Sequence, residues 1–176
     1  MATEPTKKPS RLAIAALLAT ALAIPAEGLR QVAYRDPPGI LTACYGHTGA
    51  DVRTGVTYSL EQCKAWLTAD MQKAIAQVDS CAPGLPPQTL AAFADAAFNL
   101  GPAVACNPSQ STAARYLRQY SAGGARNPDS GLPLLVAACN QLPRWDKARV
   151  GGVMVPLPGL TKRRAAERDL CLEGVE

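Results

Sequence analysis

The chain predicts an α+β fold, mainly helical, with a small antiparallel sheet followed by a larger helical body. Three observations carry this. Residues 30–58 alternate short apolar groups (Val32, Tyr34, Ile40, Leu41, Val52, Val56, Tyr58) with turn clusters, as strands and their loops do. From Ser59 onward the apolar residues fall at helical spacing. The composition, 48% hydrophobic and 18% charged, is that of a globular domain.

Each predicted element has a local reason. Asp36-Pro-Pro-Gly39 is a sharp turn, because proline presets φ and glycine admits positive φ. Ser59-Leu-Glu-Gln62 is a capping box. Cys63, Trp66, Leu67, Met71, Ala74, Ile75 and Val78 follow it on one helical face. A break at Cys81–Pro87 precedes an alanine-rich central helix from Gln88 to about Leu100, which Gly101-Pro102 ends. A helix over Ser111–Tyr120, a loop over 121–131 and a short apolar helix from Pro133 to about Leu142 come next. Residues 143–159 read as irregular, and Thr161 as the cap of a last helix over 162–173. Lys162, Arg163 and Arg164 crowd the first turn of that helix, the end that disfavours cations. Either solvent screens them, or they serve carboxylates on the body or an anionic ligand.

The N-terminal region is organised differently. Residues 1–11 are polar and contribute +2 of the net +4 (Lys7, Lys8 and Arg11 against Glu4), so the body is close to neutral and no nucleic-acid partner is expected. Residues 12–26 carry no charge, and seven of them are alanine. As a helix they span about 22 Å, short of a hydrocarbon core of about 30 Å. A basic flank before an apolar run is an export signal. Three readings stay open: a cleaved signal peptide, an uncleaved and weakly held anchor, or a buried first helix. An anchor that leaves the bilayer would join the last two.

Six cysteines (Cys44, Cys63, Cys81, Cys106, Cys139, Cys171) are scattered without a CxxC pair, and His47 is the only histidine. No metal site is expected from that set, and no cofactor. An even, scattered set favours three disulfides in an oxidising compartment; the alternative is six buried thiols. Fifteen connectivities are possible, and the spacing alone does not choose.

The stretch Glu27–Gly49 carries the candidate chemistry. Two carboxylates, Glu27 and Asp36, lie either side of the turn, and Thr42 follows. Such a pair can flank one bond of a substrate. Glu27, eight residues, Asp36, five residues, Thr42 resembles the catalytic signature of the phage-type lysozymes, the endolysins of glycoside hydrolase family 24. Thr42-Ala-Cys-Tyr-Gly-His-Thr-Gly49 resembles the family's TxxxGHTG continuation. Ala97-Phe-Asn-Leu-Gly101, Arg144-Trp145 and Gly159–Arg168 resemble further family motifs, in order. The likeness covers about residues 25–173. The N-terminus resembles the signal-arrest-release segment of one subgroup.

The resemblance implies a lysozyme-like fold: a small β-lobe, a larger helical lobe and a cleft between. It implies hydrolysis of the β-1,4 bond between N-acetylmuramic acid and N-acetylglucosamine in peptidoglycan, with host-cell lysis as the outcome. Glu27 would be the general acid, kept protonated by burial at the end of the apolar helix. Asp36 and Thr42 would place the water, with inversion. His47 is read as structural, Trp66 and Trp145 as core, and Asn99 as a sugar-binding residue or a helix cap. Residues 1–26 would be the tail and anchor, held in the host inner membrane and later released to the periplasm; residues 27–176 would be the catalytic domain, a monomer. The competing readings are a lytic transglycosylase and a non-catalytic, disulfide-stapled binding module. The favoured pairs are Cys44–Cys63, near in sequence and able to tie sheet to helix, Cys81–Cys106, which flank one helix, and Cys139–Cys171, on the last two helices.

Overall fold

A computed structural model describes residues 9–36 and 39–175. Pro37 and Pro38, the centre of the expected 36–39 turn, lie outside the described residues, as do residues 1–8 of the tail. The first helix, α1 (Arg11–Glu27), is followed by the strands β1 (Arg30–Arg35), β2 (Leu41–Cys44) and β3 (His47–Thr48). These form one antiparallel sheet in the order β1-β2-β3. The helical lobe comprises α2 (Leu60–Cys81), α3 (Pro87–Leu100), α4 (Ala103–Cys106), α5 (Thr112–Ser121), α6 (Leu134–Cys139) and α7 (Pro158–Glu173). A 3-10 turn at Leu142–Trp145 and a hairpin of β4 (Lys147–Val150) and β5 (Val153–Pro156) link α6 to α7.

The centre of the lobe is α3, against which α1, α2 and α7 pack. Its side chains from Thr89 to Ala97 are all buried, and most are small. The facing stripe of α1 is Ala15, Ala19 and Ala23, each with no exposed surface. Spacing of four puts them on one helical face, and methyl-sized groups let the two backbones approach closely. Leu12, Leu17 and Ile24 point outward and remain exposed. The apolar run therefore sits in the body as a docked first helix, one of the three readings of residues 12–26. No helix among the described residues is long and apolar enough to cross a membrane.

Caps place the helices as the sequence indicates. Ser59 Oγ accepts from the Gln62 N–H at 3.0 Å, and Ser111 Oγ from Ala114 at 3.2 Å. Three disulfides, Cys44–Cys63, Cys81–Cys106 and Cys139–Cys171, tie β2 to α2, α2 to α4 and α6 to α7.

Two expectations are corrected. Residues 147–156 are not irregular: they form the β4–β5 hairpin, with Val150 opposite Val153. Its turn, Gly151-Gly152, has φ of 56° and 87°, the positive pair that a two-residue hairpin needs. The last helix also begins at Pro158, not at 162, and Thr161 does not cap it. Pro158 occupies the first turn, where a missing N–H costs nothing. The Thr161 hydroxyl instead bonds Asp146 Oδ2 at 3.0 Å.

Ala19→Leu tests the close α1–α3 contact. Overpacking this seam is expected to cost about 1–3 kcal/mol, read as a lower urea midpoint at unchanged slope, whereas Leu at the exposed Ala13 leaves the midpoint within experimental error.

Candidate active site

Glu27 is the last residue of α1, so its carboxylate is delivered where that helix meets the sheet. Among the described residues it lines a cleft of ≈ 370 Å³ with Gly46, Thr48, Asp70, Phe98 and Asn99. The sheet supplies one wall, and α2 and α3 supply the other. Gly46, at φ 85°, turns β2 into β3; a Cβ there would lie 3.4 Å from Glu27 Oε2. A side chain at this position would be strained in its backbone, and its Cβ would stand in contact with the carboxylate.

The other carboxylate oxygen is held. Arg163 Nη1 donates to Glu27 Oε1 at 2.5 Å. The same guanidinium is gripped from behind by Asp95 of α3, with Nε to Oδ2 at 2.9 Å and Nη2 to Oδ1 at 2.8 Å. Burial works against the charge of Arg163, but Asp95 and then Glu27 outweigh it and hold the guanidinium above its ordinary range. The surroundings of Glu27 thus combine partial burial with a cation: its side chain is 20% exposed and faces Arg163. With the helix starting at Pro158, Lys162, Arg163 and Arg164 fall beyond its first turn; Arg163 serves carboxylates of α1 and α3, and Arg164 serves Glu167 on its own helix.

Deeper in, Arg164 pairs with Glu167, and both are fully buried. Burial holds Arg164 below its ordinary range. Burial first, then a hydrogen bond with Asp95, pushes the Glu167 carboxyl from its ordinary 4.5 up to about 9, against the pull of Arg164. Among the described residues Glu167 Oε2 has no hydrogen-bond partner.

His47 stands across the sheet and is 7% exposed. Its Nδ1 lies 2.5 Å from Asp70 Oδ2 and its Nε2 3.2 Å from Asp51 Oδ1. Its ring stacks on Trp66, with centroids 4.3 Å apart. Nδ1 thus ties β3 to α2, while Nε2 is engaged by the turn that follows β3. Trp66 is accordingly a partly buried platform for His47, and Tyr58 tilts against its ring at 4.7 Å. Trp145 is half-buried and packs on the core.

Of the expected site residues, Glu27 and Asn99 meet at the cleft. Asn99 Oδ1 is buried with no partner among the described residues. Asp36 and Thr42 do not line the cleft with them. The Asp36 carboxylate closes the β1–β2 turn by accepting from Ile40 N–H at 2.7 Å. Thr42 donates to Ile40 O at 3.1 Å. Thr42 pairs directly with Thr48 across the sheet. Directly opposed residues share a sheet face, so Thr42 is on the face that Thr48 presents to the cleft. Phe98 and Glu167 fall inside the motifs Ala97–Gly101 and Gly159–Arg168, which give neither a role of its own. Asp70 and Asp95 belong to no motif, and nothing local marks Asp95 as buried.

Comparison with known proteins gives the family and the fold. The family model described as "Phage lysozyme" matches residues 25–167. A SAR-endolysin of Bacteriophage PS119 is 37% identical over 149 residues, 84% of this chain and 77% of that protein. The muramidase domain of SpmX from Asticaccaulis excentricus superposes with a TM-score of 0.69 at 26% identity, covering 88% of this chain and 94% of that one. The active form of the P1 phage endolysin Lyz superposes with the same TM-score at 23% identity, covering 96% of each chain, a likeness of fold.

The Glu167 proton makes a pH prediction. The unfolded chain loses this proton above about pH 4.5, while the folded chain keeps it to about 9. Its contribution is therefore fully present below the unfolded value and is lost as pH rises through the window up to the folded one. Thermal melts from about pH 5 to about pH 8.5 should show stability falling with pH, and Glu167→Gln should flatten that slope.

Proposed function

The chain belongs to the phage lysozyme family, a peptidoglycan-hydrolysing glycoside hydrolase, and from that premise we propose that Glu27 is its general acid. The observation that carries this is the setting of Glu27: one oxygen fixed by Arg163 and the other beside Gly46, at the wall of an open cleft between sheet and helices. A glycan strand lying in that cleft offers its β-1,4 oxygen between N-acetylmuramic acid and N-acetylglucosamine to the Glu27 proton. Protonation lets the leaving sugar depart as oxocarbenium character develops. Asp36, on the β1–β2 hairpin, orients and deprotonates the water that attacks the opposite face, Thr42 holds that water by its hydroxyl, and the anomeric configuration inverts. The unpartnered Asn99 Oδ1 accepts an N–H from a sugar N-acetyl group. His47 is structural, since both of its nitrogens are occupied.

The proposal extends to residues 1–26. The apolar run first holds the chain in the host inner membrane as a signal-arrest-release segment, and later leaves it for the periplasm, where the chain acts as a monomer. The support is the sparing hydrophobicity of the run, its docking through Ala15, Ala19 and Ala23, and the SAR-endolysins among its relatives. Docking is what carries Glu27 to Arg163, so the anchored chain lacks an assembled site.

Three outcomes are expected. Glu27→Gln lowers peptidoglycan turnover at least about a hundredfold with the fold unchanged by circular dichroism; undiminished turnover removes Glu27 from the mechanism. Proton NMR of the first product formed shows the α-anomer; the β-anomer would mean retention, and a 1,6-anhydro end would mean transglycosylation. Leucine at the exposed Ala13, Ala21 and Ala26 leaves the α1–α3 seam untouched but keeps the protein in the membrane fraction without lysis. Lysis on the wild-type schedule would defeat the release reading.

A further inference from the structure

The cluster behind Glu27 holds more charge than one ion pair needs. Asp95, the one charged residue of α3, is fully buried, and Arg164 and Glu167 are fully buried beside it. Burying ions is expensive, and apolar side chains of the same volume stabilise a core at least as well. A general acid beside an arginine also poses a contradiction. A lone guanidinium favours the ionised form of a carboxyl next to it, and an ionised Glu27 has no proton to give.

We propose that Asp95 is a positioning residue for the reaction: it orients Arg163 against Glu27 and cancels that cation's charge there, so that Glu27 retains the proton it donates. This rests on Glu27 being the general acid. Asp95 takes Nε and Nη2 with its two oxygens, leaving Nη1 turned to Glu27. The planar fork then has no freedom to rotate. From Glu27, the Arg163–Asp95 pair is a dipole and not a net charge. Glu167 lies beside the pair, its Oε1 3.6 Å from Arg163 Nε and paired with Arg164.

The charged groups around Glu27 come from each neighbouring element. Arg163 of α7 is in contact; Asp95 of α3 lies behind it; Arg164 and Glu167 of α7 lie deeper. Across the cleft stands Asp70 of α2, already paired with Lys73 and with His47, whose other nitrogen meets Asp51. The β1–β2 hairpin brings Asp36. Of these, Asp95 is the carboxylate that shares Arg163 with Glu27 through a two-bond grip.

The test is the pH dependence of kcat/KM on purified peptidoglycan at fixed ionic strength. Asp95→Asn is measured against a Glu167→Gln reference and in that background, where the neighbouring carboxyl cannot ionise in its place. The alkaline limb, which reports loss of the acid's proton, is expected to move down by about one pH unit. A uniform fall in rate with the limb unmoved, in a protein whose melt shows it folded, overturns the proposal and leaves Asp95 as scaffold. Asp95→Asn with Arg163→Gln removes the buried pair as a unit and serves if the first variant does not fold. Cancellation predicts a limb within a few tenths of a pH unit of wild type; a rise of about one unit or more means that Asp95 was not neutralising Arg163. Retained activity in Glu27→Gln would refute the acid assignment itself, separately from either limb.

Discussion

Arg163 sits where three helices meet, and its carboxylate partners come from the other two: Glu27 from α1 and Asp95 from α3. An arginine suits this place because its flat, five-donor head can address two carboxylates at fixed angles, which the flexible point charge of a lysine cannot. The cluster adds little net stability, since desolvation consumes most of the attraction. Its value is geometric. It sets the register of α1 along α3 and α7 and fixes the end of α1 relative to the sheet. The cleft exists because that end is fixed.

The opposite wall depends on a second polar knot. His47 holds β3 to α2 through Asp70, and Trp66 supports its ring from the same helix. The Cys44–Cys63 bond joins the preceding strand to that helix. Sheet and helical lobe are thus locked at one seam by a disulfide, a stacked ring and an ion pair, and at the other by Arg163. The space between these seams is where Glu27, Thr48 and Asn99 face one another.

Much of this was readable in the chain. Ser59 and Ser111 marked helix starts because a hydroxyl at that position satisfies an N–H that the helix leaves free. Gly46 and the residues around it marked the turn that faces Glu27. What escaped reading depended on tertiary context. The β4–β5 hairpin is short and mixed in polarity, and only Gly151-Gly152 between two valines signalled it. Thr161 looked like a cap because Pro158 was not weighed as a first-turn residue. Asp95 is one acidic residue in an alanine-rich helix; its burial follows from Arg163, far away in sequence, and no local pattern shows it. Likewise Glu27 looked like the end of an apolar segment, and its cationic partner became visible only when α7 folded back.

The disulfides have a consequence for the order in which this molecule can be assembled. Each joins elements that follow α1, the earliest through Cys44. No disulfide involves α1, so every covalent link of the body can close whether or not α1 is docked, and α1 can be the last, removable piece of a stapled frame. Its arrival makes no bond and consumes no oxidant. It is an intramolecular equilibrium, independent of protein concentration and set by how the alanine seam compares with whatever else surrounds the helix. Because that comparison involves small side chains, each worth little, single substitutions along α1 can tilt it either way without disturbing the frame that waits for it.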